Sequence, residues 1–142
     1  SVHSRVVAPY FREEFYGSYE GTNMDWAWYN AGAPHGYNTF KEIVLASSIG
    51  QAKDWLKEAD PFHDAENNQE YWERMNKGLE LIRHADLPED ANVLWVSHGN
   101  TLLSLVEKFG GGKYDVTVRP KNGSLTTATL TDHDFKIEEY DK

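Results

Sequence analysis

Apolar positions recur along this chain with two periods, and together they predict an alternation of helices and strands. Phe40, Ile43 and Val44 share one helical face, and Trp55, Leu56 and Ala59 share another. Ser47-Ser48-Ile49-Gly50 breaks the pattern between them, so two short helices are expected. Asp60-Pro61-Phe62-His63-Asp64 reads as a turn, with Asp64 as the N-cap of a longer helix that carries Trp72, Met75, Leu79 and Ile82 and runs to about His84. The unbroken run Val93-Leu94-Trp95-Val96 then reads as a strand buried on both faces, as in a parallel sheet. Leu102, Leu105, Val106 and Phe109 give the next helix its buried stripe, and Gly110-Gly111-Gly112 stops it. Past Arg119-Pro120-Lys121-Asn122-Gly123, strands are expected over residues 124–131 and 135–139, meeting at Asp132-His133-Asp134. Near the start, residues 5–8 read as a short extended piece ended by Pro9. Residues 10–36 are dense in aromatics and punctuated by glycines and Pro34, which predicts a long packed loop with short helical turns.

Composition narrows the class. With 39% hydrophobic and 13% aromatic residues, the 142-residue chain is too rich in packing groups to stay disordered, and its length suits one domain. The formal net charge of -9, with no Lys/Arg cluster, argues against nucleic acid as a partner. No cysteine is present, which removes disulfide and thiol chemistry and suits the cytoplasm. The apolar runs are too short to cross a bilayer, so no membrane partner is expected. Ser1 opens the chain without an initiator Met or a signal-peptide profile.

Chemistry concentrates in two places. Ser97-His98-Gly99 ends the central strand pattern where a helix begins, and free N–H groups of a first helical turn attract anions. Gly99 lets backbone approach a ligand, and Asn100 or Thr101 is placed to cap the helix. The second place is Phe11-Arg12-Glu13-Glu14-Phe15-Tyr16-Gly17-Ser18-Tyr19-Glu20-Gly21, where carboxylates lie on an aromatic-lined loop, the setting in which desolvation makes a general acid. His35 and the His63, Asp64, Glu66 group lack recognised metal-ligand spacing, so neither a metal nor a cofactor is expected. His84 ends a helix and His133 sits in a turn, and neither position needs a functional explanation.

These motifs resemble those of the histidine phosphatase superfamily, the phosphoglycerate mutase-like proteins. Phe11-Arg12-Glu13 followed by Tyr16-Gly17-Ser18-Tyr19-Glu20-Gly21 is similar to the family's Leu-x-Glu loop with its Gly-x-Trp-Glu-Gly ending. Residues 93–99 look like its Val-Leu-Val-Val-Ser-His-Gly strand, and Asn122-Gly123-Ser124 resembles its Pro-Asn-Ala-Ser turn. The resemblance implies a three-layer α/β/α fold with a mostly parallel sheet, and phosphoryl transfer through a phosphohistidine on a small phosphorylated substrate. It casts Glu13 as the proton donor to the leaving oxygen and His98 as the group that steadies the phosphoryl oxygens. Gly99, Asn100, Arg12 and Tyr16 become the expected substrate contacts.

One departure matters. The family's nucleophile belongs to an Arg-His-Gly motif ending the first strand, and that motif does not occur in these 142 residues. The second family arginine, from an Arg-x-x-x-Thr segment, is missing too. A bound phosphate dianion normally needs two or more cations, yet along the sequence only Arg12 adjoins either motif. The expectation is a single unit, residues 1–142, forming the C-terminal two-thirds of such a domain without its N-terminal strand-helix portion, and inactive alone. The strand at 93–97 would then present an unpaired edge, inviting pairing with the missing segment or a second chain. A catalytically dead member that binds a phospholigand or a protein is the alternative, and an unrelated α/β binding protein with a coincidental Ser-His-Gly is the third reading.

Overall fold

The computed structural model describes Arg5 and residues 8–142. Val6 and Val7, the centre of the extended piece expected near the start, lie outside the described residues. Among the described residues five α-helices precede a small sheet: α1 Met24–Gly32, α2 Phe40–Ala46, α3 Ile49–Ala59, α4 Asn68–Arg83 and α5 Gly99–Phe109, then β1 Thr127–Leu130 and β2 Phe135–Glu139. α1 was not expected; it interrupts the predicted long loop. Asn23 caps it by accepting from Asp25 N, and Ala27, Trp28 and Ala31 bury one side. The aromatic density of that stretch masks the short helical stripe of Ala27, Trp28 and Ala31. α2 and α3 fall where the pattern put them, with Thr39 and Ser48 as their caps. α4 begins later than expected. Its cap is Asn67 instead of Asp64, in a capping box with Glu70 that satisfies two end donors at once. Asp64 N and Ala65 N donate to Asp60 Oδ2, both at 2.9 Å, so residues 62–65 fold around that carboxylate and delay the helix.

The core forms in connected clusters. Tyr16, Tyr19, Trp28, Ile43 and Leu56 pack where α1, α2 and α3 meet, beneath the loop that carries the first motif. Tyr71, Met75 and Leu79 of α4 pack against Leu105 and Val106 of α5 and against Phe135 and Ile137 of β2. Val44, Ile49 and Leu103 bridge the two. α3 is also tied to α5 by Glu107, whose carboxylate accepts from Ile49 N at 2.7 Å and Gly50 N at 3.3 Å, an anion on the opening turn of a helix.

Two expectations about the sheet change. Among the described residues the strands form one two-stranded antiparallel sheet, Ala128 opposite Ile137 and Leu130 opposite Phe135, so the expected parallel sheet is not formed there. Residues 91–98 belong to no helix or strand. Val93 is 53%, Leu94 70% and Val96 86% exposed, the reverse of the two-faced burial expected for them. A strand exists only through a neighbour's hydrogen bonds, and no described segment makes backbone hydrogen bonds with residues 92–97. Of the four apolar residues only Trp95 turns inward, packing against Phe11 with ring centroids 4.1 Å apart. No described helix is long and apolar enough to cross a membrane.

Candidate functional site

Tertiary folding brings the two motifs together. The Glu13 carboxylate lies on the first turn of α5, accepting from Asn100 N at 3.3 Å, Thr101 Oγ1 at 3.0 Å and its neighbour Glu14 N at 3.0 Å. Neither Asn100 nor Thr101 takes the capping role that its position in sequence suggests. Instead His98 is the N-cap, without a side-chain hydrogen bond, and the carboxylate from the distant loop satisfies the helix end. An anion there is favoured by the orphan N–H groups and the helix dipole. Tyr16 joins the cluster: its hydroxyl accepts from the Asn100 amide. His98 is exposed at the rim, and its ring makes no hydrogen bond among the described residues.

The loop that carries Glu13 is held from below. Arg74 of α4 donates from Nη1 to the carbonyls of Tyr10 at 2.8 Å and Arg12 at 2.7 Å. Its Nε and Nη2 grip Glu66 as a fork, at 2.7 and 2.8 Å. Glu66 in turn pairs with the loop backbone, accepting from Phe15 N at 3.0 Å while its own N–H donates to Phe15 O at 2.8 Å. Burial pushes the Glu66 carboxyl up, but Arg74 and the Phe15 amide outweigh it and hold it below the ordinary range. Asp60 does the same for the next turn. Burial alone would raise it, yet hydrogen bonds from Ser18, Ala65 and Phe62 hold it down at about 2. Gly17 has φ +59°, and a Cβ there would collide with Asp60 Oδ2 and Ala65 N, so only glycine lets the turn close on the carboxylate.

A buried polar group lies beneath the site. Glu14 is 2% exposed, and burial pushes its carboxyl well up, with Lys53 opposing and Glu13 and Glu66 adding to the rise. Lys53 is 1% exposed; its Nζ donates to Ser104 Oγ at 2.8 Å and sits over the Tyr71 ring, and burial pushes the amine down. Burial likewise raises the Tyr16 hydroxyl, with Glu14 and Glu13 adding to it, so it stays protonated at neutral pH.

Of the predicted site residues, the structure gathers Glu13, Tyr16, Gly99 and Asn100, with His98 at the edge. Arg12 is drawn aside: its side chain is 51% exposed and its guanidinium faces Glu66 at 3.5 Å. The cation beside the second motif is instead Arg119, which sequence proximity did not reveal because it lies 20 residues beyond Gly99. A Cβ on Gly99 would sit 3.5 Å from its Nε and 3.6 Å from its Cζ. The supporting roles of Arg74, Glu66 and Asp60 are not legible in sequence: Glu66 stands out only beside His63 and Asp64 as a group without metal-ligand spacing, Asp60 only as part of a turn, and Arg74 as an ordinary charged helix residue. A surface groove lined by Tyr10, Glu73, Lys77 and His84 runs along α4, apart from Glu13 and His98.

With this geometry established, comparison with known proteins is specific. The model of the histidine phosphatase superfamily (branch 1) matches residues 6–142. The chain is also similar to the crystal structure of phosphoglycerate mutase from Bacillus anthracis str. Sterne, at 27% identity and a TM-score of 0.74, over 91% of this chain and 56% of that one. It thus spans a little over half the length of that solved relative. No curated protein sequence matches it significantly. The family model, the α/β likeness and the meeting of the two motifs agree: this chain belongs to the histidine phosphatase superfamily, a family of phosphoryl-transfer enzymes.

Proposed function

We propose that this site serves phosphohistidine-dependent phosphoryl transfer on a small phosphomonoester. The observation that carries the reading is the Glu13 carboxylate seated on the first turn of α5, beside Gly99 and His98. In the family scheme a histidine nitrogen attacks phosphorus and the bond to the leaving oxygen breaks. Glu13 gives that oxygen its proton, while His98 and the Gly99 backbone steady the phosphoryl oxygens. Water or a second hydroxyl then attacks the phosphohistidine, and Glu13 takes the proton back. General acid catalysis of this kind contributes roughly 10²- to 10⁴-fold. Tyr16 and Asn100 hold the wall of the site. A cytoplasmic setting fits the lack of cysteine.

The attacking histidine of this scheme comes from an Arg-His-Gly strand, a motif not found in these 142 residues. We therefore expect the 142-residue chain to be inactive alone, and a polypeptide joining it to such a strand to be active. The exposed backbone of residues 93–97, where Trp95 Nε1 and Ser97 Oγ are buried without partners among the described residues, is where that strand or a second chain would pair. Turnover of an aryl phosphate tests the reading. The joined polypeptide should turn over, and Glu13→Gln and His98→Ala should each lower the rate by at least tenfold; unchanged rates in both variants would sink the assignment. The missing motif also favours a second reading, a catalytically dead member that binds a phospholigand. It is supported if the joined polypeptide binds inorganic phosphate but shows no turnover.

A further inference from the structure

Resting on the reading of this site as a phosphoryl site, we propose that Arg119 is the cation with which this chain grips the substrate's phosphoryl group. A phosphate dianion arriving at Gly99 meets the Glu13 carboxylate on the first turn of α5. It needs a compensating cation, and a guanidinium fork matches phosphate oxygens best. The two basic residues of the Glu13 loop's own surroundings are committed elsewhere: Arg74 to Glu66 and the loop carbonyls, Arg12 to Glu66. Lys53 is sealed in the core against Ser104. Arg119 is committed to no such partner. It is exposed, and it makes no hydrogen bond or ion pair with any described residue. Its Nε, Cδ and Cζ lie over Gly99 at ordinary van der Waals distance from where a Cβ would be. Its charge also reaches the Tyr16 hydroxyl, placing it on the same side of the site as Tyr16 and Asn100.

The position of Arg119 follows from local structure. Ser124 N donates to Lys121 O at 3.1 Å, and Lys121 N donates to Asp141 Oδ1 at 2.8 Å, so the turn after Pro120 is fastened to the chain end. Pro120 itself biases Arg119 toward an extended backbone. The test is a titration of the 142-residue chain with inorganic phosphate at constant ionic strength, following the Gly99 and Asn100 amides by NMR. The wild-type amides should shift saturably. Arg119→Gln should weaken binding about tenfold or more, and Arg119→Lys should restore part of it, because a single ammonium replaces the charge but not the fork. A matching set of urea midpoints for the three proteins separates loss of grip from loss of fold. Equal phosphate affinity in Arg119→Gln overturns the role of Arg119 alone, and a loss in Arg12→Gln instead reassigns it to Arg12. A wild-type chain with no saturable shift overturns the grip assigned to Arg119, whereas the phosphoryl-site reading falls only if the joined polypeptide neither turns over an aryl phosphate nor binds phosphate.

Discussion

Replacing Arg74 with Met tests whether the Glu13 loop is held by the buried fork. Arg74 and Glu66 side chains are each only 10% exposed, and their paired contacts are 2.7 and 2.8 Å long. Removing one partner of a buried pair costs about 3–5 kcal/mol, because the other charge is left uncompensated. Arg12 at 3.5 Å and Phe15 N at 3.0 Å still face Glu66, which places the expected cost at the low end. With a urea m-value of about 2 kcal/mol/M, a cost of about 3 kcal/mol lowers the unfolding midpoint by about 1.5 M. Tryptophan fluorescence is a suitable probe, since Trp95 packs against Phe11 of the Glu13 loop. The folded Glu66 carboxyl titrates below its ordinary 4.5, so its stabilisation is present above that pH and lost as pH falls through the folded value. The Arg74→Met penalty should therefore shrink in acid. Adding Glu66→Gln should recover part of the loss at neutral pH, since no buried charge then remains. A midpoint shift below about 0.3 M at pH 7 would refute the argument.

Three further outcomes are expected. Glu14→Gln should flatten the pH dependence of stability: burial raises the folded carboxyl, so wild-type stability from this group is present below 4.5 and drains away as pH rises, and identical midpoint changes from pH 5 to 8 in both proteins would contradict this. Gly78→Ala should push Phe11 off α4, since a Cβ there would collide with its ring, costing about 1–3 kcal/mol and altering Trp95 emission. Asn67→Ala should cost about 1 kcal/mol by removing one half of the capping box, whereas Asp64→Ala should leave α4 helicity unchanged by circular dichroism.

Helices α2 through α5 were legible in sequence because each has an apolar stripe at the helical period and a local stop. α1 was not, because aromatic residues around it also pack outside helices and blurred its stripe. The strand pattern at Val93-Leu94-Trp95-Val96 was legible as a pattern but not as an outcome. Its period describes what the segment can pair with, and pairing depends on a neighbour that the described residues do not provide.

The site divides along the same line. Sequence alone determined which residue types were present and in what local order: a Glu-bearing aromatic loop, and a Ser-His-Gly leading into a helix, enough to name the family. Only tertiary structure decided that Glu13 rests on the first turn of α5, that Arg12 turns to Glu66, and that Arg119 lies over Gly99. Local rules fix backbone preference over a few residues. Partners 20 or 87 positions apart are chosen by the packing of α4 and α5 and by the cost of leaving polar groups such as the α5 N–H groups unpaired.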